Sequence, residues 1–327
     1  MSRIFAFLTM LLFILEQFPA KNVPDIFLIG AGKCGSTSLH DLIVKHPEIC
    51  PSKVKEFHFF SSNDYSQKRW EWYEKHFQNR SGCAVGAHSI DGTPRYIRST
   101  IAPQRIKEAY SEEELTNKKF ILVLREPVSR EFSWYRHRLR SCVPAMKKGI
   151  QRTKPATVNS TLVNTYEHIC KEESCRVLGC KKMPATLDLL QSPQKRLYTF
   201  EQYVQHTSSV LTDSAYVQQI RHWLKYIPRK QLFIMNTETL QQNTTDTMHR
   251  LSKFLQFKSD WGNNVTLPHK NENRIEANMS CTSYDRLYQH YAPLNKALYR
   301  LLNTAGDKPP SEPAFPKFAK TRDQCIK

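Results

Sequence analysis

Glycines and hydroxyl residues cluster in one short stretch near the start of the chain. Residues Gly30–Ser38 (GAGKCGSTS) directly follow the apolar run Asp25–Gly30. Glycines let the backbone turn tightly, so that successive N–H groups converge on an anion, and the N-terminus of a following helix adds its dipole. Lys33 would add a positive charge, and the three hydroxyl side chains after Gly35 would add donors. The pattern predicts a loop that binds phosphate.

The predicted loop differs from the loop of proteins that bind nucleoside triphosphates. That loop places Lys directly before Ser or Thr, in G-x-x-x-x-G-K-[ST], whereas Cys34 and Gly35 follow Lys33 here. The apolar strand at 119–126 (KFILVLRE) also lacks the Asp that would hold Mg²⁺. A nucleotide kinase is therefore the less favoured alternative.

A carboxylate and an imidazole stand two residues apart in Val54–Phe60 (VKEFHFF). On a β-strand, Glu56 and His58 would point to the same face. A carboxylate and an imidazole that face one cavity can deprotonate and orient a hydroxyl group. Taken alone, the two residues fit a solvated glutamate and a core histidine better, so the interpretation depends on the other motifs.

The phosphate loop resembles the 5′-phosphosulfate loop of sulfotransferases, which use 3′-phosphoadenosine 5′-phosphosulfate (PAPS). The second part of that signature is a strand that ends in Arg, with Ser eight residues later, and Arg125 and Ser133 match it. Val54–Phe60 resembles the K-E-x-H-[FW]-[FW] stretch of heparan sulfate sulfotransferases and of N-acetylgalactosamine 4-sulfate 6-O-sulfotransferase. Residues 216–240 and 289–302 are similar to later stretches of the family, so the resemblance spans 24–303.

The resemblance implies a PAPS-dependent carbohydrate sulfotransferase that requires no metal. Its catalytic residues would be Glu56 as the base, His58 beside it, and Lys33 near the oxygen that bridges phosphorus and sulfur. The residues expected to bind the cofactor are Lys33, Gly35, Ser36, Thr37, Ser38, Arg125, Ser133, Lys270 and Arg274. Arg125 and Ser133 would hold the 3′-phosphate. The acceptor would be a hydroxyl of an anionic glycan such as chondroitin or dermatan sulfate, with no nucleic acid as partner.

Two stretches depart from the heparan sulfate enzymes. Their Glu-Lys-[ST]-Pro-x-Tyr stretch contributes a Lys near the acceptor, whereas Asp91–Tyr96 reads DGTPRY, with Gly92 at the Lys position. Their late Cys–Cys loop over the cofactor is not evident, and Lys270 and Arg274 are predicted to replace it. The glycine at the Lys position favours the N-acetylgalactosamine 4-sulfate 6-O branch. A heparan sulfate O-sulfotransferase and a non-catalytic glycan-binding protein remain alternatives.

Strands alternate with helices along the chain, which predicts an α/β fold with a P-loop-like parallel sheet flanked by helices. The resemblance makes this the sulfotransferase fold. The predicted strands are 25–30, 83–88, 119–125 and 231–235. The predicted helices are 36–46, 70–78, 103–110, 127–140, 213–226, 244–257 and 283–302. We expect one domain over 24–303, with a polar, Cys-containing insertion at 141–195, followed by a C-terminal tail at 304–327.

The charge of the chain indicates an anionic partner. Lys and Arg number 48 against 30 Asp and Glu, a net charge of +18 in 327 residues, which is well above the magnitude of roughly 2–8 usual for small soluble domains. Nucleic acid, acidic polysaccharide, anionic lipid and a phosphorylated cofactor would each fit. In the sulfotransferase interpretation, the surplus of positive charge would bind PAPS and a polyanionic glycan.

The first twenty residues predict entry into the secretory pathway. Arg3 precedes an apolar run from Ile4 to Leu15, so residues 1–20 read as a signal peptide or a short signal-anchor. We therefore expect a Golgi lumenal protein, either type II membrane-anchored or soluble, or a secreted one. The Asn-X-Ser/Thr sequons that agree with this location are Asn79, Asn159, Asn243, Asn264 and Asn278.

Cysteine usage agrees with an oxidising compartment. The chain has nine Cys, an odd number, so at least one thiol stays free or pairs between chains. Cys170, Cys175 and Cys180 lie close together after His168, but their spacing differs from that of common zinc modules. We expect disulfides within the insertion, with Cys142 as a candidate partner.

Overall fold

The computed structural model describes residues 24–77, 83–84, 86–152, 173–179, 197–268, 276–304 and 306–326. The chain divides into two compact units. The first unit comprises Met1–Arg125, Val217–Lys270 and Ala297–Lys317, and the second comprises Glu126–Tyr216, Asn271–Lys296 and Phe318–Lys327.

The first unit is built on a parallel sheet of five strands. The strands are β1 (Ile26–Gly30), β2 (Ile49–Cys50), β3 (His88–Asp91), β4 (Lys119–Leu124) and β5 (Leu232–Asn236). Their spatial order is β2-β3-β1-β4-β5, and every pair is parallel. Strands β1 and β5 are buried along their whole length, and β4 is buried after its first residue. Such continuous apolar runs are typical of parallel strands covered on both faces, and the predicted fold class is confirmed.

The chain order reverses beside β1, which lies in the middle of the sheet. Strand β1 pairs with β3 on one side, where Ile26 aligns with Ile90, and with β4 on the other, where Phe27 aligns with Phe120. Loops that leave neighbouring strands in opposite directions open a crevice at the carboxyl end of the sheet, where open α/β folds bind ligands. The loop after β1 begins at this position.

The helices occupy most of the remaining described chain. They are α1 (Ser36–Ile43), α2 (Gln67–Lys75), α3 (Ala102–Ala109), α4 (Glu112–Asn117), α5 (Pro127–Arg152), α6 (Glu173–Val177), α7 (Phe200–His206), α8 (Ser209–Thr212), α9 (Tyr216–Trp223), α10 (Thr237–Gln242), α11 (Thr244–Leu255) and α12 (Cys281–Thr304). Short 3₁₀ turns lie at Phe59–Ser61, Tyr96–Arg98, Arg229–Gln231 and Arg322–Gln324.

The neighbouring strands β2 and β3 differ from the prediction. The strand predicted at 83–88 begins only at His88 and runs to Asp91. Cys83, at the predicted start, instead forms a disulfide with Cys50 of β2. Strand β2 was not predicted, because two residues cannot show alternation, and Pro51 directly after it lacks the N–H that a longer ladder would need.

The Cys-containing insertion begins as a continuation of α5, which was predicted to end at Arg140 and runs to Arg152. Cys142 on α5 is bonded to Cys175 on α6, so the predicted disulfide in this region is confirmed. Cys170 and Cys180 lie outside the described residues.

The second unit has its own apolar core. Val128, Tyr135 and Leu139 lie on one face of α5 and are buried with Phe200 and Tyr203 of α7. A disulfide between Cys281 and Cys325 joins the start of α12 to the last described residues.

Residues beyond α12, which were predicted as a tail, include buried contacts in the first unit. The Glu312 side chain is buried, pairs with the guanidinium of Arg229, and accepts the N–H of Ile234 on β5 at 2.7 Å. Across the part of the chain that the structure describes, no helix combines the length and apolarity needed to span a bilayer. The predicted leader at 1–20 lies outside that part.

Candidate active site

The loop between β1 and α1 has the backbone features of an anion cradle. Gly35 stands at the N-cap with φ +85°, a conformation that L side chains adopt only under strain, and no side chain caps the helix. The first N–H groups of a helix have no intrahelical partner, so an uncapped N-terminus suits an anionic ligand. The loop is anchored where Ala31 donates its N–H to the Val123 carbonyl of β4 at 2.8 Å.

The side chain of Thr237, after the edge strand β5, contacts the phosphate loop. It begins α10 directly after β5, and its hydroxyl lies 2.8 Å from the Cys34 carbonyl and 2.9 Å from the Leu124 carbonyl. One buried side chain thus joins the loop to the carboxyl ends of two strands. Sequence reasoning missed Thr237, although a hydroxyl residue at the end of a predicted strand was a usable signal.

Arg125 lies against the phosphate loop, as its position at the end of β4 beside β1 requires. Its Nη1 is 3.5 Å from the Lys33 carbonyl oxygen, at the limit of a hydrogen bond. Ser133 is half-buried on α5 and belongs to the second unit. Lys270 and Arg274 lie outside the described residues.

The carboxylate and the imidazole predicted from the sequence are neighbours. Glu56 Oε2 lies 3.7 Å from His58 Nε2, and both side chains are about 40% exposed. Lys55 Nζ lies 2.7 Å from Glu56 Oε1 and 3.4 Å from the hydroxyl of Thr37 on α1. Lys55 therefore links the phosphate loop to the Glu56–His58 pair. The sequence motif contained Lys55, but sequence reasoning gave it no role.

The expected strand through Glu56 and His58 is wrong. Both residues have left-handed backbones, with φ +62° and +55°, and a 3₁₀ turn follows. The N–H groups of His58 and Phe60 face the hydroxyls of Thr93 and Tyr96, each at 3.4 Å, instead of a neighbouring strand. Side chains thus provide the hydrogen bonds that a ladder would have supplied.

The buried carboxylate of Asp91 supports this turn. At the end of β3, Asp91 accepts hydrogen bonds from the hydroxyls of Thr93 at 2.5 Å, Tyr73 at 2.8 Å and Tyr96 at 2.9 Å. Burial raises the pKa of Asp91 to about 6, although the three hydroxyl donors oppose the shift. Thr93 and Tyr96, which face the N–H groups of the turn, are thereby fixed in orientation.

Left-handed backbone is concentrated at the predicted catalytic residues. Among the described residues, four non-glycines have a positive φ, and Lys33, Glu56 and His58 are three of them. The fourth, Gln256, caps the C-terminus of α11, where this conformation is common. Strained backbone at other positions is typical of functional sites.

The surroundings of the His58 imidazole favour its neutral form. Burial lowers the pKa of His58, and the charges of Arg95 and Lys55 lower it further, against the opposing effect of Glu56. A neutral imidazole can accept a hydrogen bond from a hydroxyl, and the neighbouring carboxylate can accept a proton. The cluster can therefore bind an anion at one end and activate a hydroxyl at the other.

Comparison with known proteins identifies the family. Residues 23–290 match the family model of the sulfotransferase domain. The chain belongs to the sulfotransferase domain family. This confirms the family resemblance drawn from the phosphate loop and the strand-end arginine.

Relatives of this sulfotransferase domain are distant in sequence. A membrane-associated sulfotransferase, kil1, from Dictyostelium discoideum is 25% identical over 86% of this chain and 65% of its own length. The bifunctional heparan sulfate N-deacetylase/N-sulfotransferase of Drosophila melanogaster is 24% identical over 88% of this chain and 27% of its own length. The chain thus spans less than two thirds of the curated relatives it matches.

A solved structure shares the fold of the sulfotransferase domain. The crystal structure of a sulfotransferase from Alicyclobacillus acidocaldarius superposes with a TM-score of 0.53 at 20% identity, covering 86% of this chain and 96% of that one. The fold predicted from the alternating strands and helices is therefore also seen in a neighbouring structure.

A steric reason accounts for the glycine that departs from the heparan sulfate motif. A Cβ at Gly92 would lie 2.4 Å from Cδ2 of the buried His40 ring. No side chain fits there while His40 keeps its position on α1. In this sulfotransferase domain, a side chain at the position after Asp91 would therefore require His40 to move.

Proposed function

We propose that the chain is a PAPS-dependent carbohydrate sulfotransferase that transfers a sulfuryl group to a hydroxyl of a glycan. The observation that carries the proposal is the series of contacts from Thr37 through Lys55 and Glu56 to His58. This series joins an anion-binding loop to a carboxylate–imidazole pair. A donor phosphate at one end and an acceptor hydroxyl at the other would lie within reach of each other.

The residues near the loop fit the phosphate groups of PAPS. The uncapped N-terminus of α1, with the hydroxyls of Ser36, Thr37 and Ser38, would hold the 5′-phosphate. Arg125, whose guanidinium lies by the loop, would grip the 3′-phosphate as a fork. In this proposal Ser133 assists Arg125. Lys270 and Arg274 would contribute further positive charge to the same ligand.

The proposed reaction is a single transfer step that uses Glu56, His58 and Lys33. When bound, PAPS supplies the sulfuryl group, and its phosphate is the leaving group. Glu56 would take the proton of the acceptor hydroxyl, and the neutral His58 would orient that hydroxyl. As the oxygen–sulfur bond to the acceptor forms and the sulfur–oxygen bond to the phosphate breaks, Lys33 would offset the charge on the departing oxygen. Positioning and charge stabilisation would then supply most of the acceleration.

The acceptor is proposed to be a glycosaminoglycan. The net charge of +18 suits a polyanionic chain. Gly92 favours chondroitin or dermatan sulfate, whereas the name of the Drosophila melanogaster relative favours heparan sulfate. A heparan sulfate sulfotransferase is therefore the second candidate. A non-catalytic glycan-binding protein is the third, and the intact Lys33, Glu56 and Arg125 argue against it.

We propose that the protein enters the secretory pathway and resides in the Golgi lumen, membrane-anchored or soluble, with secretion as the alternative. Disulfides such as Cys50–Cys83 support an oxidising compartment. The sequon residues Asn243, Asn264 and Asn278 are all exposed. The relative kil1 is described as membrane-associated, which suits an anchor.

Transfer of radiolabelled sulfate from PAPS tests the proposal directly. The acceptor panel would contain chondroitin, dermatan sulfate, N-acetylheparosan and N-desulfated heparin. We expect incorporation into at least one polymer, and stabilisation by adenosine 3′,5′-bisphosphate in a thermal shift assay without Mg²⁺. Stabilisation by ATP that depends on Mg²⁺, with no sulfate incorporation, would instead support a kinase. Ligand binding without any transfer would support the non-catalytic protein.

A further inference from the structure

A cavity of about 660 Å³ lies at the end of the sheet opposite the phosphate loop. Its lining includes Lys119, the first residue of β4, and Lys230, which precedes β5. Strands β4 and β5 are parallel neighbours, with Phe120 aligned with Leu232, so both lysines lie at the amino end of the sheet. The phosphate loop follows the carboxyl end of the sheet, and the six residues of β4 span about 20 Å. The cavity is therefore separate from the proposed active site.

Helix α11 forms one wall of this cavity. Four polar residues of the helix line it at spacings of three and four residues, which place them on one helix face: Asp246, His249, Arg250 and Lys253. The ring centroid of Phe254, also in the lining, lies 5.4 Å from Lys119 Nζ, within the range of a cation–π contact. The helix and the two strand ends thus bring their basic side chains to one cavity.

The segment Pro309–Ser311 forms another wall. Glu312, the next residue, donates its N–H to the Pro309 carbonyl at 3.0 Å, and its buried carboxylate pairs with Arg229. These contacts fix the segment against the sheet. The hydroxyl oxygen of Ser311 is buried and has no hydrogen-bond partner among the described residues. This wall therefore has an unused hydrogen-bonding group.

Three of the basic side chains carry charge that no carboxylate offsets. Arg250 is balanced by Asp246, whose Oδ2 lies 2.8 Å from its Nε, whereas Lys119, Lys230 and Lys253 form no salt bridge within the described ranges. Burial lowers the pKa of Lys119, and the charge of Lys230 lowers it further. An anion between these amines would offset their repulsion. Because an ammonium group is a point charge with three donors, the three lysines suit a tetrahedral oxyanion such as sulfate or phosphate.

The apolar part of the lining indicates what carries the anion. Phe254 is only 6% exposed, so it offers no open ring face on which an adenine base could stack. The exposed large apolar side chains of the described chain are Ile101 and Ile326, and neither lines the cavity, so it presents no group that would enter a bilayer. Pro309 and Pro310 can pack on the apolar C–H face of a saccharide ring. The cavity volume falls in the range for small-molecule sites, roughly 300–1,000 Å³.

We propose that this cavity binds a sulfate or phosphate ester carried on a saccharide ring, with Lys119, Lys230 and Lys253 around the ester group. The site goes beyond the proposed function, because it lies at the other end of the sheet and takes no part in sulfuryl transfer. Binding at this site would leave the active site free for PAPS and the acceptor.

Lysine acetylation, read by peptide mass spectrometry, locates the ligand without an activity assay. The probes are N-acetylgalactosamine 4-sulfate, glucose 6-phosphate and neutral N-acetylgalactosamine. We expect at least one ester to slow acetylation of Lys119, Lys230 and Lys253, and the neutral sugar to leave it unchanged. The ester that protects at the lower concentration identifies the anion as sulfate or phosphate. Lys296, which is exposed on α12, should react at one rate throughout.

A double variant tests the role of the lysines. Lys230→Gln combined with Lys253→Gln removes two exposed ammonium groups, and protection of Lys119 should then need roughly 10–100-fold more ester, as loss of charged hydrogen bonds would require. The matched control, Lys296→Gln combined with Arg300→Gln, removes two exposed positive charges from α12. It should keep the wild-type concentration for protection of Lys119.

Three results would overturn the inference. The first is that neither ester protects the three lysines. The second is equal protection by inorganic sulfate at the same concentration, which would show that the saccharide ring contributes nothing. The third is protection by adenosine 3′,5′-bisphosphate at a lower concentration than by either ester, which would show a nucleotide site. Because acetylation reports binding alone, this inference and the proposed sulfate transfer can fail independently.

Discussion

The Glu56 carboxylate lies between the Lys55 ammonium group and the His58 imidazole, on a turn with left-handed backbone. Its proposed role as the general base can be tested by a single substitution. We expect Glu56→Gln to reduce turnover by roughly 10²–10⁴, the usual contribution of a positioned general base. Gln keeps the size and one acceptor oxygen but cannot take a proton at neutral pH. Affinity for adenosine 3′,5′-bisphosphate should change little, because Glu56 is linked to the loop through Lys55.

Glu71→Gln, an exposed position on α2, is the matched control and should keep wild-type turnover. Lys33→Ala should lower both turnover and nucleotide affinity, because Lys33 belongs to the loop. Near-native turnover in Glu56→Gln, together with loss of activity in His58→Ala, would transfer the role of base to His58.

Arg125 has a different proposed ligand, the 3′-phosphate. Arg125→Ala should weaken adenosine 3′,5′-bisphosphate binding by about 1.5–3 kcal/mol, the range for a hydrogen bond to a charged group. Adenosine 5′-phosphosulfate, which lacks the 3′-phosphate, should be affected much less. Calorimetric titration of both ligands measures the difference. Equal losses would show that Arg125 does not read the 3′-phosphate.

The protonation of Asp91, beside the proposed site, makes the stability of the fold depend on pH. Its pKa of about 6 in the folded state exceeds the value of about 3.9 usual for an unfolded chain. The folded state therefore holds the proton more tightly, so this stabilisation is complete below about pH 4 and is lost as the pH rises through about 6. The difference in pKa corresponds to roughly 3 kcal/mol.

Urea unfolding of the wild type and of Asp91→Asn at pH 4.5 and pH 7 isolates this contribution. Asn does not titrate, so the unfolding free energy of the variant relative to the wild type should rise by about 2 kcal/mol between the two pH values. A relative stability that is the same at both values would show that Asp91 does not titrate in this range.

At the scale of elements, the phosphate loop depends on the ends of three strands. Thr237→Val removes the hydroxyl that lies near the carbonyls of Cys34 and Leu124 while keeping the shape of the side chain. We expect a loss of about 1–2 kcal/mol in unfolding free energy and weaker adenosine 3′,5′-bisphosphate binding. Thr116→Val, on the exposed face of α4, should leave ligand binding unchanged. Normal nucleotide affinity in Thr237→Val would contradict a role in holding the loop.

The strands and turns also show which parts of the fold could be predicted from the sequence. Strands β1, β4 and β5 are continuous apolar runs, and their predicted positions agree with the structure within one residue at each end. The turn at Glu56–His58 was not predicted, because its backbone depends on Thr93 and Tyr96, more than thirty residues away. Local periodicity carries no information about such hydrogen bonds. The same reason explains why Lys55 and Asp91 were not assigned roles.

At the scale of the whole molecule, the proposed compartment predicts covalent modification. Expression in a eukaryotic secretory host should give a product whose mass falls on glycosidase treatment, because Asn243, Asn264 and Asn278 are exposed. Replacing each of these three residues by Gln should remove a corresponding part of the mass shift. Mass spectrometry of the intact protein measures both effects. Cytosolic residence with no glycan on any sequon would contradict the secretory assignment.

The contact between Glu312 and Ile234 has a consequence for the outer edge of the sheet. Strand β5 is an edge strand, and edge strands offer unpaired N–H groups on which another chain can build. Glu312 covers one of these groups with a buried, Arg229-paired carboxylate. Glu312 lies 78 positions after Ile234, whose N–H group it covers. Synthesis proceeds from the N-terminus, so the N–H group of Ile234 stays uncovered until Glu312 has been made. Until that point, the newly made chain exposes an edge on which another chain can build.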